Sequence, residues 1–166
     1  ESIRSKNYQN LKPFTPGNFG YSLMRTNTHS ELFHEFMDYC ESMDFPIEAL
    51  HCETGPGVWE GALVYDEAFR MADKAALFKT FTKSFFQKKG LMATFMAKWS
   101  EDNPGQSGHV HQSIFDIKSR ESLFYDESKE NNMSELMGSY LAGQQEYLKE
   151  LLPMCSPTIN SYTRLV

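Results

Sequence analysis

Glu53 and Glu60 flank a Gly-Pro-Gly break in the stretch HCETGPGVWE, residues 51–60. If the chain reverses at Pro56-Gly57, simple hairpin counting pairs Gly55 with Val58, Thr54 with Trp59 and Glu53 with Glu60. The two acids then face each other across two strands. Like charges held that way repel, and the offset must come from a shared proton, a basic neighbour or a bound cation. A second group is His109 and His111, two apart in an alternating segment, so that both imidazoles point to one face of a strand. Alone, a His-x-His pair is more often polar surface or core packing, and an isolated pair of acids is more often solvated. Their conjunction, with a Gly-containing polar loop between a strand ending in Lys98 and the histidines, points to a divalent metal site. Carboxylate oxygens plus an imidazole suit Mg2+ or Mn2+ better than zinc, whose sites add more nitrogen or sulfur.

Periodicity supplies the elements that must position these groups. Residues 1–29 carry Pro13, Pro16, Gly17 and Gly20 among scattered aromatics and read as an irregular or lid-like lead-in. From Ser30, Leu32, Phe33, Phe36, Met37, Cys40 and Met43 recur at helical spacing and stop before Pro46. PIEALHCE and WEGALVY read as the two hairpin strands. A long helix runs from an Asp66 cap to about Lys89, with Ala68, Phe69, Ala72, Ala76, Phe81 and Phe85 inward and Gly90 as its stop. LMATFMA and HVHQSIF read as strands on either side of the polar loop KWSEDNPGQSG. A last helix is expected from Ser134 to Leu152, ended by Pro153. Together these give an α+β fold with a mainly antiparallel sheet and flanking helices.

Composition excludes several classes. The 166 residues are 40% hydrophobic and 14% aromatic, a globular balance with enough chain for one sizeable core. A formal charge of −6, without a long Lys or Arg run, argues against a nucleic-acid partner. No segment is apolar enough to span a membrane, and Glu1-Ser2-Ile3-Arg4 reads neither as a signal peptide nor as a natural start. Cys40, Cys52 and Cys155 are odd in number and lack CxxC spacing, so a reducing, cytoplasmic setting is expected. Cys52 is an unpromising metal ligand, because neighbours on a strand face opposite ways and it sits beside Glu53.

Four segments, in order, resemble the glutamine synthetase family. HCETGPGVWE is similar to the family's His-Glu segment followed by Gly-Gln-x-Glu, and ATFMAKW to its Ala-Thr-Phe-Met-Pro-Lys strand. SGHVHQS is similar to its Gly-x-His-x-His-x-Ser loop, and NSYTRLV to its Asn-Ser-Tyr-Lys-Arg-Leu segment. The likeness covers residues 30–166 and is greatest to the class I branch, with its bacterial amine-ligating relatives and the lens protein lengsin. It implies part of a glutamine synthetase C-terminal catalytic domain, incomplete within this chain.

The resemblance also implies roles. Glu53 and Glu60 match ligands of the metal nearer glutamate, and His109 a ligand of the metal nearer the ATP phosphates. His111 and Ser113 match phosphate contacts, Glu48 a ribose contact, and Arg164 the arginine holding the substrate carboxylate. Gly105 or Gln106 matches a backbone contact to substrate, and Lys98 is open between a tether and a substrate contact. The implied chemistry is ATP-dependent joining of ammonia or an amine to the γ-carboxylate of glutamate through γ-glutamyl phosphate, with Mg2+ or Mn2+, in a homo-oligomer of dodecamer type. The isolated 166-residue piece is expected to be inactive. Val58, Ala97 and Trp99 depart from the family pattern. Val58, Ala97 and the histidine loop NPGQSGH, which lacks the family's Met, motivate the alternative of a catalytically silent structural or assembly relative.

Overall fold

A computed structural model of the chain describes residues 7–165. The Glu1-Ser2-Ile3-Arg4 opening therefore lies outside the described residues. Two units emerge, residues 1–106 and 107–166.

In the first unit the elements run α1 (Leu23–Thr28), α2 (Ser30–Ser42), β1 (Ile47–Cys52), β2 (Trp59–Leu63) and α3 (Ala68–Lys88). β1 and β2 form an antiparallel pair, the one sheet among the described residues. The fold class is thus helices with a small antiparallel sheet. LMATFMA does not become a strand. It alternates correctly, but its backbone bonds no strand: Gln106 donates its side-chain amide to the Thr94 and Met96 carbonyls and its N–H to Ala97 O, and Leu91 N–H donates to Phe86 O. A strand without a neighbouring strand has no ladder to join.

The core lies on one face of the hairpin. Phe36, Cys40, Phe45, Ile47 and Phe85 form its buried centre, with Leu63, Phe78, Phe81 and Phe86 packed around them. Ile47 and Cys52 are both buried although an odd separation should place them on opposite faces. A register shift between Ile47 and Ala49 makes Glu48 the extra residue of a bulge, which resets the alternation. α2 buries Phe33, Phe36 and Cys40, the stripe its periodicity predicts. α3 differs in part from expectation. Phe85 is buried and Phe81 packs on the core as expected, joined by buried Thr82 and partly buried Phe78, while Phe69 is 82% exposed and Ala72 and Ala76 face outward. The C-terminal half of the helix follows the expected spacing, and there the bulky phenylalanines take the core. Its N-cap is Glu67, one residue later than expected, with the side chain accepting from Arg70 N–H. Asp66 instead accepts from Glu67 N–H at 2.8 Å and takes the Lys74 ammonium at 2.7 Å.

The second unit is rich in turns before its helices. Residues 109–115 are not a strand, and only Phe115 makes an isolated bridge, to Ser122. Asp116 accepts from the Lys118 and Ser119 N–H groups, which closes that turn through a side chain. The expected last helix, Ser134 to Leu152, is two, α4 (Glu135–Glu146) and α5 (Leu148–Cys155), and a further helix, α6 (Ile159–Arg164), follows. Ser134 caps α4 by accepting from Met137 N–H and donates to Leu123 O. The break falls at Tyr147, and Pro153 lies inside α5 rather than ending it.

Phe36 touches the rings of Phe78, Phe85 and Phe86. Phe36→Ala in the full-length protein is predicted to cost about 3 to 5 kcal/mol in denaturant unfolding. The Asp66 carboxyl is held below its usual range, chiefly by Lys74. A folded pKa below the unfolded one gives stability that is present above about pH 4 and lost as pH falls through the folded value. Lys74→Met should therefore be less stable than wild type at pH 7, and the two should converge in acid when unfolding is followed against pH.

Candidate metal centre

The hairpin turn sets the geometry of the acids. Val58 N–H donates to Gly55 O at 3.1 Å, and Gly57, at φ +72°, supplies the left-handed conformation that a Pro-Gly turn of this kind requires. A side chain at Gly57 would also meet Phe14 N at 3.1 Å and Pro13 Cβ at 3.2 Å. Glu53 N–H donates to Val58 O at 2.9 Å, so the loop is Thr54–Gly57 and Glu53 lies opposite Val58. The register places His51, not Glu53, opposite Glu60. The expected pairing of Glu53 with Glu60 is therefore displaced by two residues. Because side chains alternate with a period of two, the displacement keeps both acids on the same face.

His51 stands between them. Its Nε2 lies 3.1 Å from Glu53 Oε1 and 3.2 Å from Glu60 Oε2. The offset for the repelling acids is in the first place a basic neighbour. Among the described residues, His51, Glu53 and Glu60 are the one group of metal-capable side chains, and their donor atoms all lie within 4.8 Å of one another. Two carboxylates and one imidazole, partly exposed on a strand face, fit a hard divalent ion such as Mg2+ or Mn2+.

Tyr21 covers this group. Its ring stacks on His51 with centroids 5.0 Å apart. The Glu53 carboxylate near its hydroxyl raises the Tyr21 pKa, as an acceptor first and by its charge second. Burial pushes the Glu53 carboxyl up, but hydrogen bonds from Tyr21, the Thr54 N–H and His51 outweigh it and hold the group below the ordinary range. Glu53 is thus a carboxylate throughout neutral pH. Neither His51 nor Tyr21 follows from the motif reading of the two acids. His51 was detectable, since a residue two before Glu53 on a strand shares its face. Nothing local marks Tyr21, which reaches the site from an irregular segment.

The other candidate residues are placed as follows. Glu48 is the exposed bulge residue of β1. Gly105 lies in the polar loop, whose Pro104 carbonyl comes near the hairpin turn at Gly55. His109, His111 and Ser113 lie in the second unit on an exposed segment, pinned where Tyr140 OH donates to Gln112 Oε1 at 2.6 Å. Arg164 ends α6 and is exposed. A cavity of about 370 Å3, lined by His34, Met37, Asp38, Glu41, Pro46 and Ile47, includes none of these residues.

Comparison with known proteins bears on this geometry. Residues 3–166 match the family model described as glutamine synthetase, catalytic domain. The chain is 47% identical over its whole length to a type-1 glutamine synthetase 2 of Dictyostelium discoideum, covering 32% of that protein. It is 32% identical over 98% of its length to a glutamate–isopropylamine ligase of a Pseudomonas species, covering 35% of it. A solved structure titled apo GmaS without ligand superposes with a TM-score of 0.82 at 28% identity, covering 91% of this chain and 35% of that one. The chain thus spans about a third of the length of these relatives.

In the full-length protein, Glu53→Gln and Glu60→Gln are each predicted to weaken Mn2+ binding by at least the ~10- to 100-fold typical of outer-shell changes. Glu41→Gln should leave it unchanged. Calorimetric titration with Mn2+ measures all three.

Proposed function

Because the chain belongs to the glutamine synthetase family, we propose that the full-length protein is an ATP-dependent ligase joining ammonia or an amine to the γ-carboxylate of glutamate. The observation that carries this reading is the closed group of His51, Glu53 and Glu60 on one hairpin face. The relative named a glutamate–isopropylamine ligase supports an amine as well as ammonia as the acceptor.

In this reading Glu53 and Glu60 hold a Mg2+ or Mn2+ ion, with the His51 ring beside it, and His109 serves a second ion. A divalent ion so bound supplies positive charge that offsets the phosphates and the group in transfer. Glu48 borders the ribose of ATP, and His111 and Ser113 contact its phosphates. Arg164 grips the substrate carboxylate through its planar guanidinium fork. The Gln106 N–H and side-chain amide are committed to carbonyls of residues 94–97, which favours Gly105 as the backbone contact to substrate. The γ-phosphoryl group passes from ATP to a γ-carboxylate oxygen of glutamate, releasing ADP. The amine nitrogen then attacks the acyl carbon of γ-glutamyl phosphate, and phosphate leaves.

The exposed segments that carry His109 and Arg164 fit a site completed by more of the chain or by other subunits, and we place the protein in a homo-oligomer of dodecamer type. Free thiols at Cys40, Cys52 and Cys155 suit the cytoplasm.

The test is glutamate-dependent ADP release by the full-length protein, with Mg2+ or Mn2+, against ammonium and a panel of primary amines. Turnover with at least one acceptor is expected. Glu53→Ala should lower it at least about 100-fold, the scale of losing one electrostatic stabiliser. A correctly assembled protein with no turnover on any acceptor would refute the ligase and leave a silent structural relative.

A further inference from the structure

The buried thiol of Cys52 has no part in the chemistry above, yet its contacts run to the segment that carries Tyr21. Cys52 is 1% exposed, on the face of β1 opposite His51. Its Sγ accepts from the Ser22 N–H at 3.2 Å, and the thiol has the Phe19 and Ser22 carbonyls at 3.6 Å as acceptors. Its carbonyl accepts the Tyr21 N–H at 2.7 Å. One strand residue therefore holds residues 19–22 by both backbone and side chain.

That segment is under constraint. Tyr21 adopts φ +57°, a left-handed conformation that costs a bulky residue energy unless its surroundings impose it. Gly20 permits the approach, since a side chain there would meet Thr54 Oγ1 at 3.0 Å and Thr54 N at 3.2 Å. Ser22 in turn opens α1, its side chain accepting from Arg25 N–H. Released from Cys52, Tyr21 has no reason to keep a strained backbone that aims its ring at His51.

We propose that Cys52 is a positioning residue for the acid cluster: its thiol clasps residues 19–22 to β1 and so fixes the Tyr21 ring on His51, with its hydroxyl toward Glu53. Outer-shell partners of this sort orient metal ligands and set their affinity. The inference rests on the cluster being a cation site, as proposed above, but not on turnover.

The experiment is Mn2+ titration of the full-length protein as wild type, Cys52→Ala, Cys52→Ser, Tyr21→Phe and the Cys52→Ala/Tyr21→Phe double variant, with melting temperatures alongside. Tyr21→Phe and Cys52→Ala are each expected to weaken Mn2+ binding about tenfold. The double variant should be no weaker than either single one, because both remove the same contact. Cys52→Ser, which keeps a donor and an acceptor, should retain most of the affinity, and it stands in if the alanine variant fails to fold. Additive losses, or a lower melting temperature with unchanged Mn2+ affinity in Cys52→Ala, would reduce Cys52 to packing and overturn the proposal. Wild-type protein that fails to bind Mn2+ would overturn it too. Wild-type protein that binds Mn2+ with the expected coupling but shows no turnover would refute the ligase and sustain the clasp.

Discussion

Two carboxylates on one face of a short hairpin are a standing electrostatic cost, and the rest of the first unit is arranged around offsetting it. His51 Nε2 lies within 3.2 Å of both acids, and the Tyr21 hydroxyl and Thr54 N–H add further donors to Glu53. Hydrogen bonds to an ionised group are the stronger kind, and here they hold Glu53 charged despite its partial burial. The same features prepare a cation site, because a positive ion replaces mutual repulsion with shared attraction.

The opposite face of the hairpin gives the rigidity that such an arrangement needs. Trp59 packs on Phe33 with ring centroids 4.1 Å apart, and Cys52 lies buried beside the 19–22 segment. Beyond the Glu48 bulge, Ile47 joins the aromatic core between α2 and α3. Polar and apolar faces are thus coupled at the end of β1, where His51 faces the acids and its neighbour Cys52 faces the packing. The second unit uses other means. Its turns are closed by Asp116 and Asp126 side chains, and a side-chain bond from Tyr140 to Gln112 fixes the His-x-His segment.

Much of this was legible in the sequence, for reasons that differ by element. The hairpin was visible because Gly-Pro-Gly admits few backbone paths. Its register was read two residues out because the loop holds four residues, Thr54 to Gly57, rather than two. The acids still share a face because the error was even. α2 announced itself through a single apolar stripe, whereas in α3 the expected Phe81 and Phe85 do face the core and only tertiary packing turned Phe69, Ala72 and Ala76 outward. The segments 91–97 and 109–115 show strand alternation without a strand partner, and alternation says nothing about pairing. Tyr21 was invisible, because its role depends on a left-handed backbone and on contacts across thirty-one residues to Cys52 and farther to Glu53.

The central claim is that His51, Glu53 and Glu60 together form a divalent-cation site. The most direct measurement is anomalous diffraction from crystals of the full-length protein equilibrated with Mn2+. The account predicts an anomalous peak bonded to carboxylate oxygens of Glu53 and Glu60, with the His51 ring against it and Tyr21 still stacked above. Crystals saturated with Mn2+ that show no peak there, with His51 Nε2 still in direct contact with both acids, would contradict it.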